Sequence, residues 1–366
     1  MKQKTTLLHV SSSLKMGGAE AVLCDVIQGL GNEVFEHHVI YFHDGPRREP
    51  LEELGVTLHH VRGALCLYDP VFFMRLYRRI KKIKPDCIHS LLWAANVASR
   101  IIAKFLSIPH VSAYHIHINV DGRFRKIVDK LTINLSQEFI AVSEEVAESI
   151  QPAEPIWVIK NGIDVDGIQK KAQGMVVRRD QLGLAKDQFV IGSVGRFAPR
   201  KNFPLLLESF AVLQMVYPEA RLVLVGIGPE EQSLKRKAQD LGVADKVVFV
   251  VGKHAYGYIP LFDCFVQSSD KEGTSIALLE AMSLNVPCVV VNDGPVHPVI
   301  VDGKDGILVQ AKGATALAQK ISMLIEKRDL AVQLGMAGNK KVRQNFNPEG
   351  MVEAYRDIIL RVSNRK

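Results

Sequence analysis

Two carboxylates stand eight positions apart in the run KEGTSIALLEAM, residues 271–282. Glu272 precedes the turn Gly273-Thr274-Ser275, and Glu280 lies in the first two turns of an apolar helical pattern. The preceding run CFVQSS reads as a strand, and Ser275 or Thr274 is placed to cap the helix that follows. Free backbone N–H groups at that helix start, with the helix dipole behind them, favour an anionic group. A carboxylate beside them repels an anion but accepts hydrogen bonds from hydroxyls attached to it. Two carboxylates flanking an anion site therefore suit a ligand with hydroxyl-bearing groups on both sides of its phosphates, as in a nucleoside-diphosphate sugar. Glu280 then takes the ribose diol and Glu272 the sugar. The spacing alone is a weak signal, because a loop acid and an ordinary helix acid give the same string.

The run IGSVGRFAPRKN, residues 191–202, begins as a strand, turns at Gly195-Arg196 and leads into a helix near Asn202. Arg196 and Lys201 fall at the carboxyl edge of a sheet beside a helix start, where cations are unfavourable unless an anion is bound. Arg196 offers a planar fork to phosphate oxygens and Lys201 a point charge. The plainer reading is two solvated surface bases. Near the N-terminus, a strand over 7–12 runs through Lys15-Met16-Gly17-Gly18-Ala19-Glu20 into a helix. Two glycines there let backbone N–H groups approach an anion closely. The string is not Gly-x-Gly-x-x-Gly, and no acid ends a second strand in the required place. Glu20 needs no ligand, since an acid in a helix's first turn is favourable by itself. Val225-Gly226-Ile227-Gly228-Pro229 also begins like a dinucleotide loop but lacks the third glycine and the trailing acid, so a tight strand end is expected.

Positioning such loops takes alternating strands and helices. Strands are expected over 6–12, 38–42, 87–92, 110–115 and 139–143, with helices over 18–30, 71–84, 97–106 and 123–135 between them. A second series has strands over 189–195, 220–226, 246–252, 264–269, 287–291 and 306–309, with helices near 202–217, 229–241, 275–284 and 315–327. Both are βαβ series and predict an α/β fold with mostly parallel sheets. Ligands in such sheets sit at the carboxyl ends of strands, and two such domains make a cleft. The polar, glycine-containing stretch from Asp164 to about Asp187 reads as the boundary.

At 366 residues the chain suits two domains, and 47% hydrophobic with 23% charged residues is a soluble globular composition. No run approaches the ~18 apolar residues of a spanning helix. The opening MKQKTTLLHVSSS is too short in its apolar core for a secretory signal. Cys24, Cys66, Cys87, Cys264 and Cys288 are scattered, which predicts reduced core thiols in the cytosol, without a disulfide framework or zinc site. The net charge is +7, yet residues 62–130 alone carry 13 Lys and Arg against 4 Asp. That patch attracts an anionic partner such as a membrane surface, a diphosphate or nucleic acid.

Taken in order, Gly17-Gly18 with Glu20, Asn161-Gly162-Ile163-Asp164, Gly195-Arg196 with Lys201, and Glu272-Gly273 through Glu280-Ala281-Met282 resemble the retaining glycosyltransferases of family 4. The resemblance spans nearly the whole chain. It implies a GT-B architecture, with two Rossmann-like doubly wound domains facing across a cleft. Residues 1–165 form the acceptor-side domain, joined by a final helix within 348–366, and residues 166–347 bind the nucleotide sugar. Arg196 and Lys201 would hold the donor diphosphate, Glu280 the ribose and Glu272 the sugar hydroxyls, with Gly273, Thr274 and Ser275 at the donor. Gly17 and Gly18 would approach the diphosphate from the first domain. The family also places a catalytic histidine at the end of a first-domain strand. The strand over 108–117 offers His115 and His117, and VSAYH makes His115 the better match. Catalytic roles thus fall on Glu272, His115, Arg196 and Lys201.

Asp164-Val165-Asp166 spells the Asp-x-Asp metal string of a different glycosyltransferase fold, but it follows Asn161-Gly162 at the domain boundary. No metal and no cofactor are expected, the UDP- or GDP-sugar being a co-substrate. Two departures from the family pattern lie near the expected sugar pocket. Gly273-Thr274-Ser275 replaces Gly-Phe-Gly, and the Pro-Glu before the Asp302-Gly303 turn is absent from the stretch 292–298. The implied activity is transfer of a sugar to an acceptor hydroxyl in polysaccharide or glycolipid synthesis. A nucleotide-sugar epimerase, an NAD-dependent dehydrogenase and a nucleic-acid binder are the alternatives, the last without a reader motif. A lipid-linked or oligosaccharide acceptor and a cytoplasmic, peripheral location are expected. The basic amphipathic run 72–84 is the membrane candidate, with core packing as its competitor.

Overall fold

The computed structural model describes residues 4–63, 69–116, 123–150, 152–252, 254–269, 272–292, 297–310 and 313–364. The chain divides into two compact units, Met1–Gly162 with Pro348–Lys366, and Ile163–Asn347. In the first, β1 (Thr5–Ser13), β2 (Phe35–His43), β3 (Thr57–His60), β4 (Cys87–Leu91), β5 (His110–Tyr114), β6 (Glu138–Ala141) and β7 (Ile156–Val158) pair in parallel in the order β3-β2-β1-β4-β5-β6-β7. In the second, β8 (Val190–Val194), β9 (Arg221–Gly226), β10 (Val247–Val251), β11 (Cys264–Gln267), β12 (Cys288–Val291) and β13 (Ile307–Val309) pair in parallel in the order β10-β9-β8-β11-β12-β13. Each order reverses once, between β1 and β4 and between β8 and β11. Chains leaving the two strands at such a point turn to opposite faces, and a crevice opens at their carboxyl ends. Helices cover both faces, so β4 and β5 are buried throughout, which is why their sequences read as continuous runs.

Several sequence expectations change here. The second unit begins at Ile163, so the stretch from Asp164, read as the boundary, belongs to that unit. The Asp164 carboxylate accepts the Gly167 N–H at 2.9 Å and caps the helix Val165–Gly174, whose Val165, Ile168 and Ala172 are buried. The basic helix proposed to face a membrane is Pro70–Ile83, capped by Asp69 with proline in its first turn. Its apolar face, Phe72, Leu76 and Ile80, packs in the first unit's core against Val10, Phe42 and Ile102. Its basic face, with Arg75, Arg78, Arg79, Lys81 and Lys82, meets solvent, together with Val71 and Met74 near its start. Cys24, Cys87, Cys264 and Cys288 are buried thiols outside any disulfide among the described residues; Cys66 lies outside the described residues. The final helix, Pro348–Ser363, packs on the first helix, and a Cβ on Gly29 would meet Val352 at 2.4 Å.

Buried imidazoles run across the first sheet. His9 on β1 faces His89 on β4 at 3.0 Å and His37 on β2 at 3.1 Å, and His89 meets the Tyr355 ring edge-on. Burial first, then neighbouring imidazoles, pushes His9 well down and His89 to about 3; burial and then the Arg100 charge push His110 well down, and His59 falls to about 4. These rings are neutral in the folded chain but bind protons near pH 6.5 when unfolded. Stability is therefore complete above about pH 6.5 and is lost as pH falls towards 4, because the unfolded state then binds more protons. The melting temperature is expected to be level from about pH 7 to 8 and to drop steeply between about pH 6 and 4. A melting temperature unchanged down to about pH 4.5 would contradict this.

Candidate active site

The loops singled out in the second half of the sequence all leave β8 or β11, the two strands at that unit's switch point. β8 and β11 pair only through Ile191 with Cys264 and Gly192 with Phe265, then separate, held by a 2.7 Å hydrogen bond from the Ser193 hydroxyl to the Val266 carbonyl. After β8 the chain runs through Gly195-Arg196 and a single 3-10 turn, Pro199–Lys201, to Asn202 in left-handed conformation, where the helix Phe203–Gln214 begins. The Gly-x-Gly string after β9 explains how this loop is held. A Cβ on Gly226 would stand 1.9 Å from the Gly195 carbonyl oxygen, and one on Gly228 would stand 2.2 Å from that of Phe197. The Phe197 N–H donates to the Ile227 carbonyl at 3.0 Å. Those glycines give the Arg196 loop room, in place of any dinucleotide role.

Lys201 and Glu272, 71 residues apart, meet here: Lys201 Nζ lies 2.5 Å from Glu272 Oε1, the side chains 18% and 7% exposed. The Ser268 hydroxyl ties the Lys201 carbonyl to the end of β11 at 2.9 Å. Burial alone would raise the Glu272 pKa, but the charges of Lys201 and Arg200, with hydrogen bonds from Lys201 and Ser269, bring it below its ordinary value. Glu272 is thus an ionised acceptor for hydroxyl groups and not a proton donor at neutral pH. Arg196 is exposed and forms no hydrogen bond or ion pair with the described residues. Gly273, Thr274 and Ser275 are buried, and the helix Ile276–Ser283 follows. Of the two cap candidates, Ser275 occupies the cap position, but its hydroxyl makes no cap bond. Glu280 is half-buried and is the only charged residue of that helix, whose Leu278, Leu279, Ala281 and Met282 enter the core.

His297 belongs beside this group and escaped the sequence reading. Its Nδ1 accepts the N–H groups of Val299 at 3.2 Å and Ile300 at 3.0 Å, so the ring proton sits on Nε2. Burial pushes its pKa to about 4, against the opposing pull of the nearby Glu272 carboxylate. The signal was a histidine in the stretch that departs from the family pattern, which spacing alone does not interpret.

The Asp-x-Asp string is occupied otherwise: Asp164 is a helix cap, and Asp166 pairs with Arg343 at 2.7 Å. Among the described residues no group of three His, Cys, Asp or Glu is arranged to hold a metal.

In the first unit, Gly17 caps the helix Gly18–Leu30 at the carboxyl end of β1. The buried Glu20 folds back over it, taking a hydrogen bond from the Ser13 hydroxyl at 2.5 Å, and a Cβ on Gly17 would meet Glu20 Oε2 at 2.3 Å. His115 stands just past β5, its Nδ1 buried without a hydrogen-bond partner among the described residues, and burial pushes its pKa to about 4. His117 lies outside the described residues. His115 lines a cavity of about 270 Å³ with Ser12, Trp93, Asn96, Arg125 and Asp129. The Trp93 Nε1 is likewise buried without a hydrogen-bond partner among the described residues, and the Arg125 guanidinium lies 4.8 Å above its ring. Thus Gly17, Gly18 and His115 belong to one unit, and Arg196, Lys201, Glu272, Gly273, Thr274, Ser275 and Glu280 to the other.

Two parallel, doubly wound sheets with phosphate-suited loops at their switch points match the GT-B architecture of solved glycosyltransferases. The structure of HepE from Anabaena in complex with UDP and glucose superposes with a TM-score of 0.84 at 20% identity, covering 98% of this chain and all of that one. Residues 16–166 match the model for Glycosyltransferase Family 4, and residues 177–341 that for glycosyl transferases group 1. The lipopolysaccharide core biosynthesis glycosyltransferase LpsE of Rhizobium meliloti is 30% identical over 358 residues, 97% of this chain and 98% of that protein. The GDP-mannose-dependent alpha-(1-6)-phosphatidylinositol monomannoside mannosyltransferase of Mycolicibacterium smegmatis is 29% identical over 210 residues, and the match spans 55% of each chain. The chain belongs to glycosyltransferase family 4 and is a glycosyltransferase.

Proposed function

We propose that the enzyme moves a sugar from a UDP- or GDP-sugar to a hydroxyl of a lipid-linked or oligosaccharide acceptor, with retention of anomeric configuration. The observation that carries this is the cationic loop Gly195–Lys201 facing an ionised, buried Glu272 across the β8–β11 switch point. Arg196, exposed and without an ion-pair partner among the described residues, suits the diphosphate. Lys201 adds a second positive charge and positions Glu272, which accepts hydrogen bonds from sugar hydroxyls. Glu280 takes the ribose, and Gly273, Thr274 and Ser275 line the donor beside the helix start. Gly17 and Gly18 present backbone N–H groups to the diphosphate. His115, neutral at physiological pH, hydrogen-bonds near the reacting carbon rather than adding charge.

A double displacement needs a carboxylate beneath the anomeric carbon, and Glu272 is engaged by Lys201. A front-face reaction fits better. The bond from the anomeric carbon to the diphosphate oxygen breaks while the acceptor oxygen bonds to the same face. The departing diphosphate takes the acceptor proton, and Arg196 and Lys201 stabilise its negative charge. No metal takes part in this reading, since Asp164 and Asp166 serve the helix they begin. GDP-mannose in one relative's name and UDP in the HepE structure keep both donor bases in view. Those relatives' names, a phosphatidylinositol mannoside and a lipopolysaccharide core, favour an acceptor carried by a lipid and a peripheral place at the cytoplasmic membrane face. No helix among the described residues is long and apolar enough to cross a membrane. The basic face of Pro70–Ile83 supplies electrostatic attraction to such a surface, with Val71 and Met74 as its exposed large apolar side chains.

Proton NMR of donor hydrolysis tests the stereochemistry. The first free sugar released from an α-linked donor is expected in the α configuration; a β product would overturn retention.

A further inference from the structure

The helix Arg123–Thr132 has two unlike faces. On one, Asp129 pairs with the fully buried Arg100, whose guanidinium also reaches the Thr132 hydroxyl, and Arg125 stacks on Trp93. Arg125 and Asp129 line the cavity that holds His115 and Trp93. On the other, Phe124, Ile127 and Leu131 are 56%, 57% and 77% exposed. They follow one another at steps of three and four and so form a single apolar stripe. Lys126 and Lys130, both exposed, flank it. The helix's one acid, Asp129, is buried, so the outward face carries apolar and positive groups and no negative charge.

Isolated surface apolar residues are ordinary, but three large ones on one stripe beside a cavity mark a contact surface. Protein interfaces are depleted in lysine, whereas helices lying in a lipid interface join an apolar stripe to flanking lysines. The segment 62–130 around this helix carries 13 Lys and Arg against 4 Asp, and the neighbouring helix Pro70–Ile83 adds basic residues but no exposed stripe of this size. Charge and apolarity together therefore fit an anionic bilayer.

We propose that the Phe124, Ile127 and Leu131 face, with Lys126 and Lys130, docks on an anionic lipid surface. It thereby holds the Trp93–His115–Arg125 cavity at the lipid boundary, where the head group of a lipid-borne acceptor enters. This deepens the reading above and rests on the acceptor being carried by a lipid. The helix acts on both sides: its outer face seats the enzyme, and its inner face supplies the cavity wall.

The test uses the full chain in flotation with phosphatidylcholine vesicles, with and without phosphatidylglycerol. Wild type is expected to float with the phosphatidylglycerol vesicles, less so as salt rises. The triple variant Phe124→Ser/Ile127→Ser/Leu131→Ser is expected to lose about tenfold or more of that binding. Its melting temperature and its rate of nucleotide-sugar hydrolysis should stay those of wild type, because the three side chains are exposed and lie outside the donor site. Lys126→Glu/Lys130→Glu should abolish the preference for phosphatidylglycerol. Absence of wild-type flotation would overturn the proposal, and so would a triple variant that floats as well as wild type. A wild-type dimer that the triple variant dissociates would overturn it in favour of a second copy of the chain. If sugar transfer itself is misassigned, hydrolysis is missing from every variant while flotation is unaffected, so the two failures are told apart.

Discussion

Arg196→Ala is expected to lower kcat for sugar transfer by about 10²–10³-fold, or roughly 3–4 kcal/mol of transition-state stabilisation. Charge on the departing diphosphate grows as its bond to the sugar breaks, so a guanidinium fixed there stabilises the transition state more than the bound donor. The loss should fall mainly on kcat, with KM for the donor rising less. Arg196 is exposed and makes no ion pair or hydrogen bond among the described residues, so its removal should leave stability within about 0.5 kcal/mol. Lys at this position restores charge but not the planar fork, and should recover only part of the rate. Steady-state kinetics with a melting curve on the same preparations makes the check. Near-normal turnover in Arg196→Ala would remove Arg196 from the chemistry.

Asp129→Ala should produce the largest loss of stability, about 3–5 kcal/mol. Arg100 and Asp129 are 0% and 1% exposed and face each other directly. Removing the carboxylate leaves a guanidinium inside the first unit with only the Thr132 and Tyr114 hydroxyls among the described residues, at 3.0 Å each from Nε and Nη1. A buried charge without its counter-ion costs far more than the pair gained on forming. The paired replacement Arg100→Met/Asp129→Leu should be much milder, since it removes both charges and keeps the volume. Denaturant unfolding of the single and double variants measures this. A single variant within about 1 kcal/mol of wild type would contradict the account of that pair.

Where the sequence was legible, local signals and tertiary packing agreed. The first helix begins and ends at its expected residues because Gly17 and Gly31 bracket it, the latter at φ +68. The apolar runs of β8 and β9 announce strands buried on both faces. Elements with weak patterns were missed: β3 and β7 are short edge strands of four and three residues, half-exposed. The helix Arg328–Asn345 was missed because its contact face uses small residues. A Cβ on Gly335 would lie 2.1 Å from the Asn285 carbonyl oxygen, so glycine is demanded where a pattern search expects leucine. The helix Trp93–Leu106 begins earlier than its apolar pattern because the Ala95 N–H donates a hydrogen bond to the Ser12 hydroxyl oxygen on a distant strand.

The candidate site divides the same way. Each charged loop was visible as a charge placed just past a strand. What joins the loops was not: the Lys201–Glu272 pair depends on strand order, which places β8 beside β11 across two intervening strands in the chain. The Trp93–Arg125 stack and the tautomer of His297 arise from contacts that have no spacing of their own.

Thermal melting with UDP, GDP, ADP, NAD and NADP, on wild type and on Glu280→Ala, is the measurement to make. A ligand that binds the folded chain alone raises its stability by about 2.7 kcal/mol at a hundred times its Kd. UDP or GDP should raise the wild-type melting temperature, and Glu280→Ala should abolish most of that rise while melting normally without ligand. Stabilisation by NAD or NADP alone, or by none of the five at millimolar concentration, would contradict a nucleotide-sugar site between β8 and β11.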